Sequence, residues 1–196
     1  MRAVVSKTSN VSRTGVAALA TMAIITLWSM AYASSARPVA LLSRKVIVGM
    51  VTVNRFFADI TQEVSTGLNS TAVGNPQATR SMIYTTQDGS KKATISVDLY
   101  ESTTDASSAY HKAVEKSKTV AGFKPIAISD LGQQAFAGSV TQGAETHVGL
   151  GMLDGKLIVG LTLAGYENAP TNITKLIALA HEENTAAKAA TTSGSR

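Results

Sequence analysis

The sequence predicts an α+β domain built on an antiparallel sheet of about five or six strands, with helices packed mainly on one face. Two Asp-Gly pairs, Asp88-Gly89 and Asp154-Gly155, each stand between runs of alternating residues, the strongest short-range mark of a β-hairpin. Helical periods flank these hairpins in the order helix, hairpin, helix, strands, hairpin, helix, which favours an antiparallel sheet over a doubly wound one. The composition, 44% hydrophobic and 16% charged over 196 residues, is that of a globular chain with room for one domain plus accessory segments. Aromatic residues make up only 5%, so the core must rest on Val, Ile, Leu and Ala.

The N-terminus has the form of an export signal, residues 1–33. Arg2, Lys7 and Arg13 precede the uncharged run GVAALATMAIITLWSMAYA, which ends in the small-x-small site Ala31-Tyr32-Ala33. The alternative is an uncleaved anchor, since residues 14–36 carry no charge and a bilayer needs about 20 apolar residues. Removing residues 1–33 changes the charge balance. The chain has 18 Lys+Arg against 13 Asp+Glu, a net of +5, and loss of Arg2, Lys7 and Arg13 leaves 15 against 13, or +2. No clustered basic face remains, so no nucleic-acid partner is expected. The chain has no Cys, which removes disulfides, thiol catalysis and Cys-based zinc sites.

Residues 34–52 form a linker or leading segment, and 53–184 the domain. Within it Phe56, Ile60, Val64 and Leu68 recur every four residues and predict a helix ending near Gly67. STAVGNPQAT is a loop. A two-residue turn at Asp88-Gly89 pairs Tyr84 with Ala93 and Met82 with Ile95, and leaves Thr94, Ser96 and Asp98 on the opposite face. A helix follows at about 104–120, with Thr104 as cap, Asp105 early, Lys116 and Lys118 late, and Gly122 after its end. KPIAI and QQAFAGSV are strands around a DLG turn. The last helix opens at Pro170-Thr171 with Ile173, Leu176, Ile177 and Ala180 inward. Residues 185–196 lack an apolar period and are expected to form a disordered tail.

The stretch THVGLGMLDGKLIVGLTLAG invites comparison with a phosphate-binding glycine loop. Such a loop places its glycines between a strand and a helix start and follows them with Lys-Ser/Thr, whereas here Gly155-Lys156 precedes Leu157 and strand alternation continues on both sides. With Asp154-Gly155 as a turn, Met152 pairs with Leu157, Leu150 with Val159 and Val148 with Leu161, all on one face. The other face pairs His147 with Thr162, Gly149 with Gly160 and Gly151 with Ile158. His147, Gly149, Gly151, Gly160 and Thr162 are therefore the candidate binding residues. A ligand, a partner strand or, as the main expectation, a closely packed helix backbone would use so smooth a surface.

His111 and His181 belong to solvated helix faces, and no two histidines have metal-ligand spacing. No G-x-S-x-G elbow occurs. Asp98 and Glu101 point outward into solvent by phase, and Glu182-Glu183 read as a solvated helix end. Asn69-Ser70-Thr71 and Asn172-Ile173-Thr174 match the glycosylation pattern by chance in a chain whose export signal has a bacterial form.

The helix ADITQEVSTGL, the hairpin ending in ISVDLYES, the helix DASSAYHKAVEKSK, the segment PIAISDLGQQAFAG and the strand DGKLIVGLTL together resemble small exported actinobacterial domains of the DUF3558 type and the extracellular sensor domains of mycobacterial serine/threonine kinases. The Cys that such domains carry near the position of Met82 is absent. The resemblance, over about residues 55–181, implies an antiparallel sheet backed by helices, a role in ligand sensing or envelope interaction, and no catalytic residues. The expected function is an exported, periplasmic or secreted, non-enzymatic binding module without a cofactor. Its partner would be an unidentified small molecule or an envelope protein, and it would touch a membrane only through an uncleaved N-terminal segment. The competing reading is a small secreted hydrolase in which His147 works with Asp98 or Glu145.

Overall fold

The computed structural model describes residues 38–193; the expected export signal (1–33) and anchor (14–36) lie outside the described residues. One sheet of eight strands organises the domain, rather than five or six. In chain order come β1 (Ala40–Leu41), a 3₁₀ turn (Arg44–Val46), α1 (Met50–Phe56), β2 (Gln62–Gly67), β3 (Ala78–Thr85), β4 (Lys92–Leu99) and α2 (Thr103–Lys118). Then follow β5 (Lys124–Ile126), β6 (Gln134–Gln142), β7 (Glu145–Asp154), β8 (Leu157–Ala164) and α3 (Pro170–Ser193). The strand order is β1-β3-β4-β8-β7-β6-β5, with β2 also pairing along β3. All pairs are antiparallel except β1 with β3.

The additional strands arise where the sequence predicts a leading segment and a helix. Val46, Ile47 and Val48 enter the core, so residues 40–48 belong to the domain rather than to a linker. The helical period from Phe56 to Leu68 breaks after one short helix. Asn54 Nδ2 donates to the carbonyls of Ala58 and Ile60, both at 3.0 Å, and closes a turn just after α1. Phe57 and Ile60 are buried, whereas Val64 and Leu68 are 60% and 52% exposed. With one apolar residue per turn the helical stripe was narrow, and the β-branched residues Thr61, Val64 and Thr66 suit a strand better. Residues 62–67 pair along β3 as β2, with an irregularity between Glu63 and Ser65 that skips Val64.

The first hairpin has the expected register, Tyr84 opposite Ala93 and Met82 opposite Ile95. The second is shifted by two residues: Met152 lies opposite Val159, Leu150 opposite Leu161 and Gly149 opposite Thr162. Its turn is Gly155-Lys156, with Gly155 at φ 64° in the first turn position, where glycine avoids the Cβ clash of the left-handed region. A shift of two preserves the face of every side chain, whereas a shift of one would invert it.

One face of the sheet carries Met82, Tyr84, Ile95, Val97, Leu150, Met152, Val159 and Leu161, packed against α3 and, through it, α1. α2 lies on the opposite face. Its Ala106, Ala109 and Tyr110 cover Leu153 and Ile158 at the hairpin end of β7 and β8. Ser102, rather than Thr104, caps this helix, its Oγ accepting from the Asp105 amide at 3.0 Å. α3 continues through most of the expected tail, because Ala187 is fully buried and Asn184 and Lys188 both bond Asp154 Oδ2, at 2.8 and 2.9 Å. Glu183 is likewise not solvated. It is 0% exposed, and its Oε2 accepts from the Val48 amide at 2.9 Å. That bond ties the leading segment to the last helix.

Candidate functional site

α2 covers the hairpin end of its face and its last turn brings Ser117 to the edge of β7, while the part over β3, β4 and β8 stays open. From β3 the face presents Ser81 and Ile83, from β4 Thr94 and Ser96, from β8 Gly160 and Thr162, and from β7 His147, Gly149 and Gly151. Ser81 stands directly across from Ser96, and Thr94 from Thr162. A Cβ built on Gly149 would meet no heavy atom within 4 Å, and one on Gly160 would meet only the Ser96 hydroxyl, at 2.7 Å. Among the described residues, no helix backbone lies within 4 Å of a Cβ built on either glycine. The packing expected to explain them is therefore replaced by open space.

Two adjoining cavities occupy this surface. The larger, about 190 Å³, lies over β3, β4 and β8 and is walled by residues 67–71. The smaller, about 40 Å³, lies over β7 between His147, Gly149, Phe123 and Phe136. Both share Leu150 and Thr162. A single water needs only about 10–15 Å³, so the larger space accepts a ligand of many atoms. Phe123, from the loop after α2, lies over Gly138 and stacks on Phe136 with ring centroids 5.5 Å apart and planes at 12°. The two rings close the far end of the groove.

Asn69 builds the wall of the larger cavity. Its backbone amide donates to Thr79 Oγ1 at 3.0 Å, and its side-chain amide donates to both Asp98 oxygens at 2.9 and 3.0 Å. Its Oδ1 accepts from the Thr71 amide and hydroxyl at 3.0 and 2.7 Å. Asn69 is thereby buried inside its glycosylation-like triplet, while Asn172 donates to the Glu167 carbonyl at the start of α3. Asp98 is 2% exposed, against the solvation its strand phase predicts, because α2 and the Asn69 loop cover that end of the face. Burial pushes its carboxyl up to about 7, opposed by the Asn69 hydrogen bonds. Glu101, beyond the strand end, is exposed.

His147 is 4% exposed, inside the sheet between β6 and β8, and its Nε2 has no hydrogen-bond partner. Burial lowers its pKa and favours the neutral ring; Glu145 opposes this and Lys92 adds to it. Glu145 Oε1 lies 3.8 Å from Nε2, beyond hydrogen-bond reach. The pair His147–Asp98 of the hydrolase reading is not assembled. His147 is level with Ala164 and Lys92, and Asp98 stands six residues further along β4, about 20 Å away at 3.3 Å per residue. His111 and His181 are exposed.

All five residues singled out in the sequence thus fall on one face around two adjoining cavities: Gly160 and Thr162 at the larger, His147, Gly149, Gly151 and Thr162 at the smaller. Sequence reasoning missed Asn69, whose only mark was a triplet with another explanation, and Phe123, which follows a helix-stopping glycine.

No family model and no curated protein matches the chain. Among solved structures it is similar to the crystal structure of the extracellular domain of PknH from Mycobacterium tuberculosis. The match has a TM-score of 0.55 and 10% identity and covers 71% of this chain and 93% of that one. The likeness is one of fold, a mixed α+β domain like that of a kinase extracellular region.

Proposed function

We propose that the chain is an extracytoplasmic, non-enzymatic binding module that takes a small molecule on the open half of its sheet. The observation that carries this reading is the groove itself. It is a concave floor of Ser, Thr, Ile and Gly residues flanked by the Asn69 wall and the Phe123–Phe136 stack, with open space above Gly149. Export is supported by the charged start, uncharged run and Ala31-Tyr32-Ala33 site, and by a fold shared with an extracellular domain. An intact mass beginning near Ser34 for the exported product would support cleavage; one retaining residues 14–36 would support the anchored alternative.

Gly149→Val tests the groove. Gly149 is extended, with room for a side chain, and valine favours a strand, so the variant should melt at or above the parent temperature. It should nevertheless lose the amide chemical-shift changes that small-molecule fragments produce at Thr94, Ser96 and Thr162. Fragment shifts clustered instead in the cleft between residues 74–77 and α2, or undiminished in Gly149→Val, would sink the reading.

A further inference from the structure

We infer that this groove takes an uncharged, hydroxyl-rich ligand carrying an apolar substituent, of the chemical class of a simple glycoside. The inference rests on the proposed binding role and specifies its ligand. Three observations carry it.

The first is charge. Among the described residues, no Asp, Glu, Lys or Arg side chain lines either cavity. Asp98, close to the Asn69 wall, has both oxygens engaged by Asn69 and is not among the lining residues. An ion entering the groove would give up hydration with no charged side chain among the lining residues to receive it. Lys92, at the level of His147, stands across from Ala164 of β8 and outside the lining.

The second is the floor. The opposed pairs Ser81–Ser96 and Thr94–Thr162 set four hydroxyls at cross-strand spacing, about 5 Å. Each hydroxyl both donates and accepts. A ligand with several hydroxyls satisfies such a field in many ways, whereas an aliphatic one would strand it.

The third is the far end. Phe123, Phe136 and Val140 make that end apolar, with Gly149 leaving the approach clear. Among these apolar groups the His147 Nε2 is buried and unpartnered. A buried polar atom without a partner calls for one, and a ligand hydroxyl or glycosidic oxygen entering the smaller cavity supplies it. The geometry therefore seats the hydroxyl-bearing ring over β4 and β8 and the apolar substituent toward the two Phe rings.

The test compares phenyl β-D-glucopyranoside, its galacto and manno isomers, methyl β-D-glucopyranoside and phenyl β-D-glucuronide on the full described domain by amide chemical-shift titration. At least one neutral phenyl glycoside should shift Thr94, Ser96, Thr162 and His147. The methyl glycoside should bind more weakly. The glucuronide, which differs from the glucoside by one carboxylate, should be weaker by about tenfold or more. Thr162→Val, isosteric and at a half-buried strand position, should weaken the phenyl glycoside about 2- to 10-fold with an unchanged melting temperature. His147→Phe should weaken it too. Glucuronide binding as tight as glucoside, or affinity unaffected by Thr162→Val, overturns the ligand class. If no glycoside shifts the groove but charged or aliphatic fragments do, the class is wrong while the groove stands. If nothing shifts the groove, the proposed function falls with it.

Discussion

Glu183 and Asp98 are carboxyls whose pKa the fold raises. Burial pushes Glu183 up to about 8, opposed by the Val48 amide and Arg44, and pushes Asp98 up to about 7 against the Asn69 bonds. In the unfolded chain both titrate near 4. Across the interval between those values the folded state binds more protons than the unfolded one, so stability falls as pH rises and is lowest above the folded values. His147 works in the other sense. Its depressed pKa means that the unfolded chain takes up the proton first below its ordinary 6.5, which erodes stability at lower pH. Between pH 8.5 and 7.5 His147 is neutral in both states and the carboxyls dominate, so the melting temperature should climb on acidification, at about 2–4 °C per kcal/mol in a chain of this size. Glu183→Gln keeps an acceptor for the Val48 amide and removes the charge. It should flatten that climb and melt higher than the parent at pH 8.5. A variant whose melting temperature follows pH as steeply as the parent's would show that Glu183 is not the group responsible. None of this was visible in the sequence, where Glu182-Glu183 is simply an acidic pair near a helix end. Which of two adjacent glutamates turns inward is decided by how α3 lies on the leading segment.

Strands and helices were legible where their periods were long and were lost where several elements shared a short run. The β3–β4 register was readable because alternation and turn agree, and α2 because an apolar stripe, an early acid and late bases coincide. The β7–β8 hairpin was legible in its faces but not in its register. Asp154 and Leu157 form the last pair, and the turn moves one residue on to Gly155-Lys156. Because the displacement is two residues, the candidate surface survived the error. His147, Gly149 and Gly151 remain on the face of Gly160 and Thr162 whichever turn is used. The turn can be checked directly. Gly155 has φ 64°, so Gly155→Ala should cost about 1 kcal/mol and lower the melting temperature by about 2–4 °C. Gly149→Ala, at extended backbone with free space, should cost far less. Equal losses at the two positions would contradict the turn assignment.

The core takes in side chains from the leading segment, ahead of α1. Tertiary contacts, rather than any local pattern, bring residues 40–48 into the domain. β1 pairs in parallel with the start of β3, the Leu42 amide donates to the Thr79 carbonyl at 2.9 Å, and Arg80 Nε donates to the Leu42 carbonyl at 2.6 Å. Further along, Arg44 donates to the Ile47 carbonyl and pairs with Glu63 at 2.9 Å, and the Tyr84 hydroxyl donates to the Val48 carbonyl. Val46, Ile47 and Val48 are buried in the same cluster as α3 and the central strands. Burying an aliphatic side chain of this size stabilises by about 1.5–3 kcal/mol, so three of them contribute on the order of 5–9 kcal/mol. A whole domain has about 5–15 kcal/mol to lose. Loss of the segment would also leave the Glu183 carboxyl without the Val48 amide, a buried acid with neither oxygen bonded. A chain starting at Pro38 should therefore melt cooperatively, whereas one starting at Met50 should show no cooperative transition and should expose the face of α3 that carries Leu176, Leu179 and Ala187. Circular-dichroism melts of the two chains decide the matter. A cooperative transition within a few degrees of the longer chain's, in the one lacking residues 38–49, would show that the segment only decorates a core complete without it.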